Sequence, residues 1–175
     1  MAPRARVLYV LRHAKSSWSD PLLDDLDRPL SARGVRSVAL LSRHLKAAGV
    51  VPDLVLCSPA RRAVETVDGL RPALREAATV WFDHAVYDAD ADDLLALVRT
   101  VPREVRRLLL VGHNPAVQEL VLDLSRDHLD ERRAAVQAKF PTGALATLRF
   151  EGGWSALAPG TARLTDLVTP RSLSG

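Results

Sequence analysis

Three short runs of apolar residues, each followed at once by polar or charged side chains, constrain the fold of this chain more than any other feature. The runs cover residues 7–11, 54–57 and 108–111. Uninterrupted apolar runs of this length are typical of strands that are buried on both faces of a sheet. We therefore predict that these runs form central strands of a sheet covered by helices on both sides.

Helical patterns lie between and after these runs. The predicted helices begin after Ser31, Ser58, Asp90 and Asn114, which are residue types that commonly cap the first turn of a helix. A proline directly follows both Ser58 and Asn114, as is usual at the first helical position. Gly49 is expected to end the first helix, because glycine readily adopts the left-handed conformation found at helix ends.

This alternation of strands and helices predicts an α/β fold, a three-layer αβα sandwich around a mainly parallel sheet. Residues 144–150 and 162–168 are expected to add two strands, one of them an antiparallel edge strand. The charged residues 125–139 are expected to form a surface helix and loop. Because the sequence has no internal repeat and no linker-like segment, we predict a single domain over residues 1–175.

The residues that directly follow the predicted strands include the side chains best suited to catalysis or ligand binding. Arg12 and His13 follow the first apolar run, Arg62 lies shortly after the second, and His113 follows the third. In open α/β sheets, functional sites form beyond the carboxyl ends of the strands. We therefore expect these four side chains to converge on one site.

Arg62 occupies a position that favours anion binding. If Ser58 caps the second helix, Arg61 and Arg62 fall in its first turn, where the helix dipole disfavours a cation by about 0.3–1 kcal/mol. An arginine is useful there when guanidinium and helix amides share a bound anion. The sequence therefore predicts a binding site for an anionic group.

The overall composition argues against several partners. The formal net charge is +3, the basic residues are dispersed and aromatic residues make up only 5% of the chain, so no nucleic-acid partner is predicted. The first apolar run is too short for a signal peptide or a membrane span, which predicts a cytoplasmic protein without a membrane partner.

Cys57 is the single cysteine, so no intramolecular disulfide is possible.

The nearness of Cys57 to two arginines raises the alternative of a cysteine-based phosphatase. That class needs an arginine at a fixed distance after the cysteine, where this chain has Ala63, and Arg62 stands one position too early. Cys57 is therefore interpreted as a small core residue.

The acidic run at residues 88–93 raises the alternative of a metal site. A calcium-binding EF-hand loop would need glycine where Asp93 stands and glutamate where Arg99 stands. A phosphatase of the aspartyl type would need threonine or valine in place of Asp92. We interpret the run as a helix N-terminus, and we predict neither a metal nor a cofactor.

Four motifs in this order and spacing resemble the histidine phosphatase superfamily, whose fold is phosphoglycerate-mutase-like. They are LRHAKSSW, DDLDRPLSARG, SPARRAVET and VGHNPAVQEL. The short phosphohistidine phosphatases of the SixA type are the most similar branch, and Ala14 stands where larger members have glycine. The resemblance covers about residues 7–124.

The resemblance implies a role for each residue at the strand ends. His13 matches the nucleophile that receives the phosphoryl group, and Arg12, Arg62 and His113 match the residues that bind and stabilise it. Phosphoryl transfer depends mainly on positioning and electrostatic stabilisation. With arginines supplying the positive charge, the activity is expected to be metal-independent.

A general acid is not specified by a decisive motif. The resemblance suggests a carboxylate near residues 81–93, where Asp83 and Asp88 are the candidates. Both are equally well explained as turn or helix-capping acids. A phosphoramidate substrate needs a strong acid less, because its P–N bond is labile, so protein phosphohistidine is the substrate that we expect.

Two alternatives stay open at this point. A small-molecule phosphomonoester, such as a sugar phosphate, would place the same dianion in the same pocket as a phosphorylated protein. A non-catalytic phosphate-binding module of the same fold is the other alternative, although such modules often lack the nucleophile and His13 is present.

Overall fold

The computed structural model describes residues 4–175, which form a mixed sheet of six strands flanked by helices. The strands are β1 Arg6–Arg12, β2 Leu54–Cys57, β3 Thr79–Phe82, β4 Arg107–Gly112, β5 Leu145–Phe150 and β6 Arg163–Val168. The α-helices are α1 Ala32–Ala47, α2 Arg61–Leu70, α3 His84–Tyr87, α4 Ala91–Arg99, α5 Ala116–Leu124, α6 Glu131–Ala138 and α7 Pro170–Leu173. A 3₁₀ turn, Asp25–Asp27, lies in the segment between β1 and α1.

The strands are arranged in the order β3-β2-β4-β1-β5-β6. The first four are parallel to one another, whereas β5 runs antiparallel to both β1 and β6. The predicted α/β fold with a mainly parallel sheet is confirmed, and its antiparallel pairing lies at one side of the sheet. The three central strands β2, β4 and β1 therefore end at the same edge.

Side chains of the central strands alternate between two hydrophobic layers. In β1, Leu8 and Val10 pack in the layer formed with α4 and α5, while Tyr9 and Leu11 face the layer formed with α1 and α2. This follows from the period-two geometry of a strand. Helices cover both faces, so the strands are apolar throughout and their carboxyl ends are the places where polar groups collect.

The starts of two helices agree with the sequence prediction. Ser31 caps α1 by accepting a hydrogen bond from the amide of Gly34. Asp90 caps α4 in a reciprocal box with Asp93, so the acidic run is a helix N-terminus. Helix α1 ends before Gly49, which has a φ of +66°.

The predicted caps Ser58 and Asn114 are wrong. Helix α2 begins at Arg61 after Ala60, and α5 begins at Ala116 after Pro115, in both cases without a side-chain cap. The physical reason is that both polar side chains make other contacts at the edge of the sheet, which are described below.

Two further features complete the fold. Strand β3, which the sequence patterns did not predict, extends the sheet beside β2, and its side chains are largely exposed. Within residues 4–175, none of the helices combines the length and apolar character needed to cross a membrane.

Candidate active site

The side chains of Arg12, His13, Arg62 and His113 converge at the carboxyl edge of the sheet. Strand β1 ends at Arg12, β4 ends directly before His113, and the amide of His13 donates to the carbonyl of Gly112 at 3.1 Å. The two histidine rings are 5.0 Å apart between their centres. Parallel neighbouring strands thus bring together residues one hundred positions apart in the sequence.

These side chains line a pocket of about 230 Å³. Its lining residues are Arg12, His13, Lys15, Ser16, Trp18, Arg28, Arg62, His113, Asn114 and Thr142. Four of these residues carry a fixed positive charge and none carries a carboxylate. The pocket is therefore suited to an anion with several negatively charged oxygens.

His13 is held as a neutral ring with one nitrogen available. Its Nδ1 lies 2.7 Å from the carbonyl oxygen of Ala14, which can only accept, so Nδ1 carries the proton. Its Nε2 therefore keeps a lone pair, toward which Nε of Arg62 donates at 3.3 Å. Burial, assisted by the neighbouring positive charges, lowers the pKa of His13 to about 3, even though the Ala14 contact opposes this.

His113 is oriented by Ser58. Its Nε2 lies 2.7 Å from the hydroxyl oxygen of Ser58, which also accepts the amide of Ala60 at 3.2 Å. Nδ1 of His113 lies 3.4 Å from the donor-only Nη2 of Arg62, so Nε2 carries the proton and donates to Ser58. Burial, with the Arg62 charge, lowers the pKa of His113 to about 4. The Ser58 hydroxyl thus orients His113 instead of capping helix α2.

Arg12 is anchored at one end of its guanidinium. Nη1 donates to the carbonyl oxygen of Phe140 at 3.0 Å, while the buried Nε has no partner among the described residues. Burial lowers the pKa of Arg12. Asn114 also donates to the Phe140 carbonyl, at 3.1 Å, and to the side chain of Gln118. Asn114 therefore fixes the loop that carries Arg12's anchor.

Asp25 holds Arg62 in place, although no individual role was predicted for this residue from the sequence. Nη1 of Arg62 donates to the Asp25 carbonyl oxygen at 2.6 Å, and Nη2 donates to Oδ2 of its carboxylate at 2.9 Å. Oδ1 of Asp25 accepts two hydrogen bonds from Arg28, at 3.0 and 3.1 Å. The carboxylate thus bridges two arginines that both line the pocket.

Tyr87 completes the arrangement around Asp25. Its hydroxyl donates to Oδ2 of Asp25 at 2.7 Å. The hydrogen bonds from Tyr87, Arg62 and Arg28 hold the pKa of the Asp25 carboxyl well below its usual range, and the contact with Asp25 raises the pKa of Tyr87. Asp25 is therefore ionised at neutral pH and has no proton to give. The DDLDRPLSARG motif contained Asp25 and Arg28, and their spacing within it was the available signal.

Asp83 and Asp88, the candidates for a general acid, lie outside the pocket lining. Oδ1 of Asp83 accepts the amide of Ala85 at 2.9 Å and so caps α3. The Asp88 carboxylate lies 3.7 Å from Nε2 of His84 on the protein surface. In this arrangement one carboxylate caps a helix and the other lies beside a surface histidine.

Trp18 forms one wall at the mouth of the pocket. The guanidinium carbon of Arg28 lies 3.5 Å from the centre of the Trp18 ring, and Arg28 also donates to the Ser16 hydroxyl at 2.9 Å. Arg28 is buried, whereas Trp18 is 72% exposed. A stacked guanidinium is thereby held rigidly beside an aromatic surface that is open to solvent.

Cys57 and the acidic run take no part in this site. Cys57 is fully buried in β2, and burial raises the pKa of its thiol, which makes it a core residue as predicted. Among the described residues, no three His, Cys, Asp or Glu side chains lie close enough together to hold a metal ion.

Comparison with known proteins identifies relatives over nearly the whole chain. A family model described as histidine phosphatase superfamily, branch 1, matches residues 8–94. The uncharacterised protein Rv1276c of Mycobacterium tuberculosis is 34% identical over 165 residues, which cover 92% of this chain and 100% of that protein.

Solved structures show the same architecture. A protein from Nakamurella multipartitia that is assigned as a phosphohistidine phosphatase SixA has a TM-score of 0.85 at 29% identity, covering 97% of this chain and 99% of that one. A protein from Agrobacterium tumefaciens with the same assignment has a TM-score of 0.78 at 28% identity, covering 94% of this chain and 99% of that one.

Proposed function

This chain belongs to the SixA-type branch of the histidine phosphatase superfamily, and we propose that it is a metal-independent hydrolase of protein phosphohistidine with His13 as the nucleophile. Family membership supports phosphatase activity in general. The observation that carries the more specific proposal is the neutral His13 ring, whose Nε2 lone pair faces a pocket lined by cations.

The first step transfers the phosphoryl group to His13. Nε2 of His13 attacks the phosphorus in line, a bond between Nε2 and phosphorus forms, and the bond from phosphorus to the substrate nitrogen breaks. Nδ1 of His13 keeps its proton, and the positive charge that develops on the ring is stabilised by the Ala14 carbonyl.

Charge on the three equatorial oxygens is stabilised by donors already in position. Nε of Arg62 lies 3.3 Å from Nε2 of His13, which positions it to donate to an oxygen of a phosphoryl group bound there. Arg12 lines the same pocket and has only its Nη1 engaged within residues 4–175, so it adds a second guanidinium, while Nδ1 of His113 lies 3.4 Å from Nη2 of Arg62 and helps to orient that arginine. Donors held rigidly in a buried site stabilise developing charge more effectively than water does.

The leaving group explains why a phosphohistidine substrate suits this pocket. Within residues 4–175 no carboxylate lines the pocket, and the nearby Asp25 is ionised. The leaving imidazole of phosphohistidine can carry its proton on the distal ring nitrogen, so it departs as a neutral ring without an acid at the scissile bond. An alkyl phosphomonoester would need such an acid.

The second step releases phosphate. Water attacks the phosphorus, the bond to Nε2 of His13 breaks with its electron pair returning to the nitrogen, and both protons of the water leave with the product as dihydrogen phosphate, which restores the neutral His13 ring. The arginines supply positive charge in both steps, so this mechanism requires no metal.

A substrate panel tests the proposal. Phosphohistidine protein, phosphoserine and phosphotyrosine peptides, and sugar phosphates are compared as substrates of the native chain and of His13→Ala. The proposal expects kcat/KM to be highest for phosphohistidine and turnover to vanish in His13→Ala. Preference for a sugar phosphate would overturn the assigned substrate, and equal turnover in His13→Ala would overturn the assigned nucleophile.

A further inference from the structure

Four arginines line a second pocket at the end of the sheet opposite to His13. This arginine pocket has a volume of about 430 Å³, compared with about 230 Å³ for the pocket at His13. Its arginines are Arg4, Arg106, Arg107 and Arg149. It lies outside the site described above and shares no residue with it.

The sheet topology brings the four arginines together. Arg4 precedes β1, and Arg106 and Arg107 stand at the start of β4, which is the parallel neighbour of β1. Strand β5 runs in the opposite direction, so Arg149 near its end pairs with Val7 near the start of β1. Three separate segments therefore place cations at one edge.

None of the four guanidinium groups forms an ion pair within residues 4–175. Arg107 donates to the carbonyl oxygen of Val51 at 3.3 Å and Arg106 donates to that of Arg4 at 3.4 Å, both neutral partners. The carboxylate of Asp53 accepts the backbone amides of Arg106 and Arg107, at 2.9 and 2.8 Å, rather than a guanidinium.

The positive charges exceed the local negative charge. The carboxylate of Asp53 supplies one negative charge, and the carbonyl end of α1, which lines the pocket through Ala48 and Gly49, supplies about half a charge. The remaining positive charge affects the pKa values of two buried neighbours, Tyr9 and Arg6. The charges of Arg107 and Arg149 oppose the burial that raises the pKa of Tyr9, and burial together with Arg106 lowers the pKa of Arg6.

We propose that the arginine pocket binds an anion that carries two or more phosphate groups, such as a di- or triphosphate. Guanidinium groups bind phosphate oxygens through paired donors, so four of them can contact more oxygens than one phosphate offers. The larger volume accommodates the longer ligand. Binding at this edge leaves the pocket at His13 free, so the proposal does not depend on the catalytic mechanism.

The test measures binding of inorganic triphosphate to the full chain by calorimetry and locates it by amide chemical shifts. We expect the amides of Gly49, Val50 and Arg107 to shift, in addition to any shifts around His13. Arg107→Gln/Arg149→Gln is expected to weaken this binding by roughly 100-fold, because each charge-assisted hydrogen bond contributes about a factor of ten or more. Turnover at His13 is expected to stay unchanged in this variant.

Arg36→Gln/Arg75→Gln is the matched control, because it removes the same charge at exposed positions elsewhere. It is expected to bind triphosphate as the native chain does. The proposal is overturned if the amide shifts are confined to the surroundings of His13, or if both double variants lose affinity equally. Inorganic phosphate binding as tightly as triphosphate would overturn the assigned ligand class.

Discussion

Asp25 accepts two hydrogen bonds from Arg62. Its backbone carbonyl oxygen lies 2.6 Å from Nη1, and its carboxylate oxygen Oδ2 lies 2.9 Å from Nη2. Arg62 in turn contacts both histidines of the site. The orientation of the guanidinium is therefore set from a loop that lies outside the sheet, and this arrangement leads to the first prediction.

Replacing Asp25 by asparagine should reduce kcat by about 10-fold, because a neutral amide holds Arg62 and Arg28 less firmly and misplaced donors stabilise the transition state less well. Steady-state kinetics measure the effect. Asp27→Asn, an exposed change in the same turn, should leave kcat unchanged. If Asp25 acts by positioning Arg62, Asp25→Glu should restore part of the activity. Damage to the fold would instead lower the unfolding temperature of Asp25→Asn, Asp27→Asn and Asp25→Glu alike.

Removing Arg62 itself should have a larger effect than removing its support. Arg62→Ala should slow phosphorylation of the enzyme by roughly 10²–10³-fold, the loss expected for one preorganised donor. Single-turnover kinetics measure this step. Arg61→Ala is the matched control, because Arg61 is the neighbouring exposed residue and pairs with Glu65 instead. Equal losses in the two variants would contradict the assignment.

The histidines of the site should titrate far below their usual range. Proton NMR of the free protein should give pKa values of about 3 for His13 and about 4 for His113, because both rings are buried among cations. A value near 6.5 for His13 would mean that the ring is hydrated rather than buried among cations.

The same pKa values predict how stability depends on pH. An unfolded histidine binds a proton below about pH 6.5, whereas the folded protein keeps both rings neutral down to about pH 4. The unfolded state thus binds more protons in this window, so the free energy of unfolding should fall as the pH is lowered, by up to about 1.4 kcal/mol per pH unit for each ring. His13→Asn should reduce that slope, as measured by urea unfolding, and an unchanged slope would contradict a buried neutral ring.

Chelation should leave turnover intact. The arginines supply the positive charge, and among the described residues no cluster of metal ligands is present. Activity measured with excess EDTA should therefore match the untreated protein. Loss of activity with EDTA, followed by recovery on addition of Mg²⁺ or Zn²⁺, would refute the proposed mechanism.

The framework of this fold was accessible from the sequence because its signals are local and strong. Uninterrupted apolar runs specify strands buried on both faces, and Ser31 and Asp90 cap the helices that the pattern predicted. Strand β3 was not predicted, because an exposed edge strand lacks the uninterrupted apolar run of a buried strand.

The errors at Ser58 and Asn114 have a common physical cause. In each case a helix-capping residue type is followed by proline, which predicts a helix start. In the structure the Ser58 hydroxyl instead orients His113, and the Asn114 amide donates to the Phe140 carbonyl. Local propensity was overridden at these positions because their polar groups serve the site.

The contact between Asp25 and Tyr87 could not be predicted for a different reason. They are separated by more than sixty positions and meet only through the tertiary fold, so no spacing in the sequence reveals their contact. By contrast, Arg12 ends one buried strand, His13 directly follows it and His113 directly follows its neighbour, so the sheet alone determines that they meet.

Trapping the phosphorylated enzyme tests the central claim most directly. The protein is mixed with phosphohistidine substrate, quenched without acid during turnover and mapped by mass spectrometry. The account predicts an acid-labile, base-stable phosphoryl group on His13, absent from His13→Ala. An acid-stable label, or a label on Cys57, Ser58 or an aspartate, would contradict it and identify a phosphatase of another chemical class.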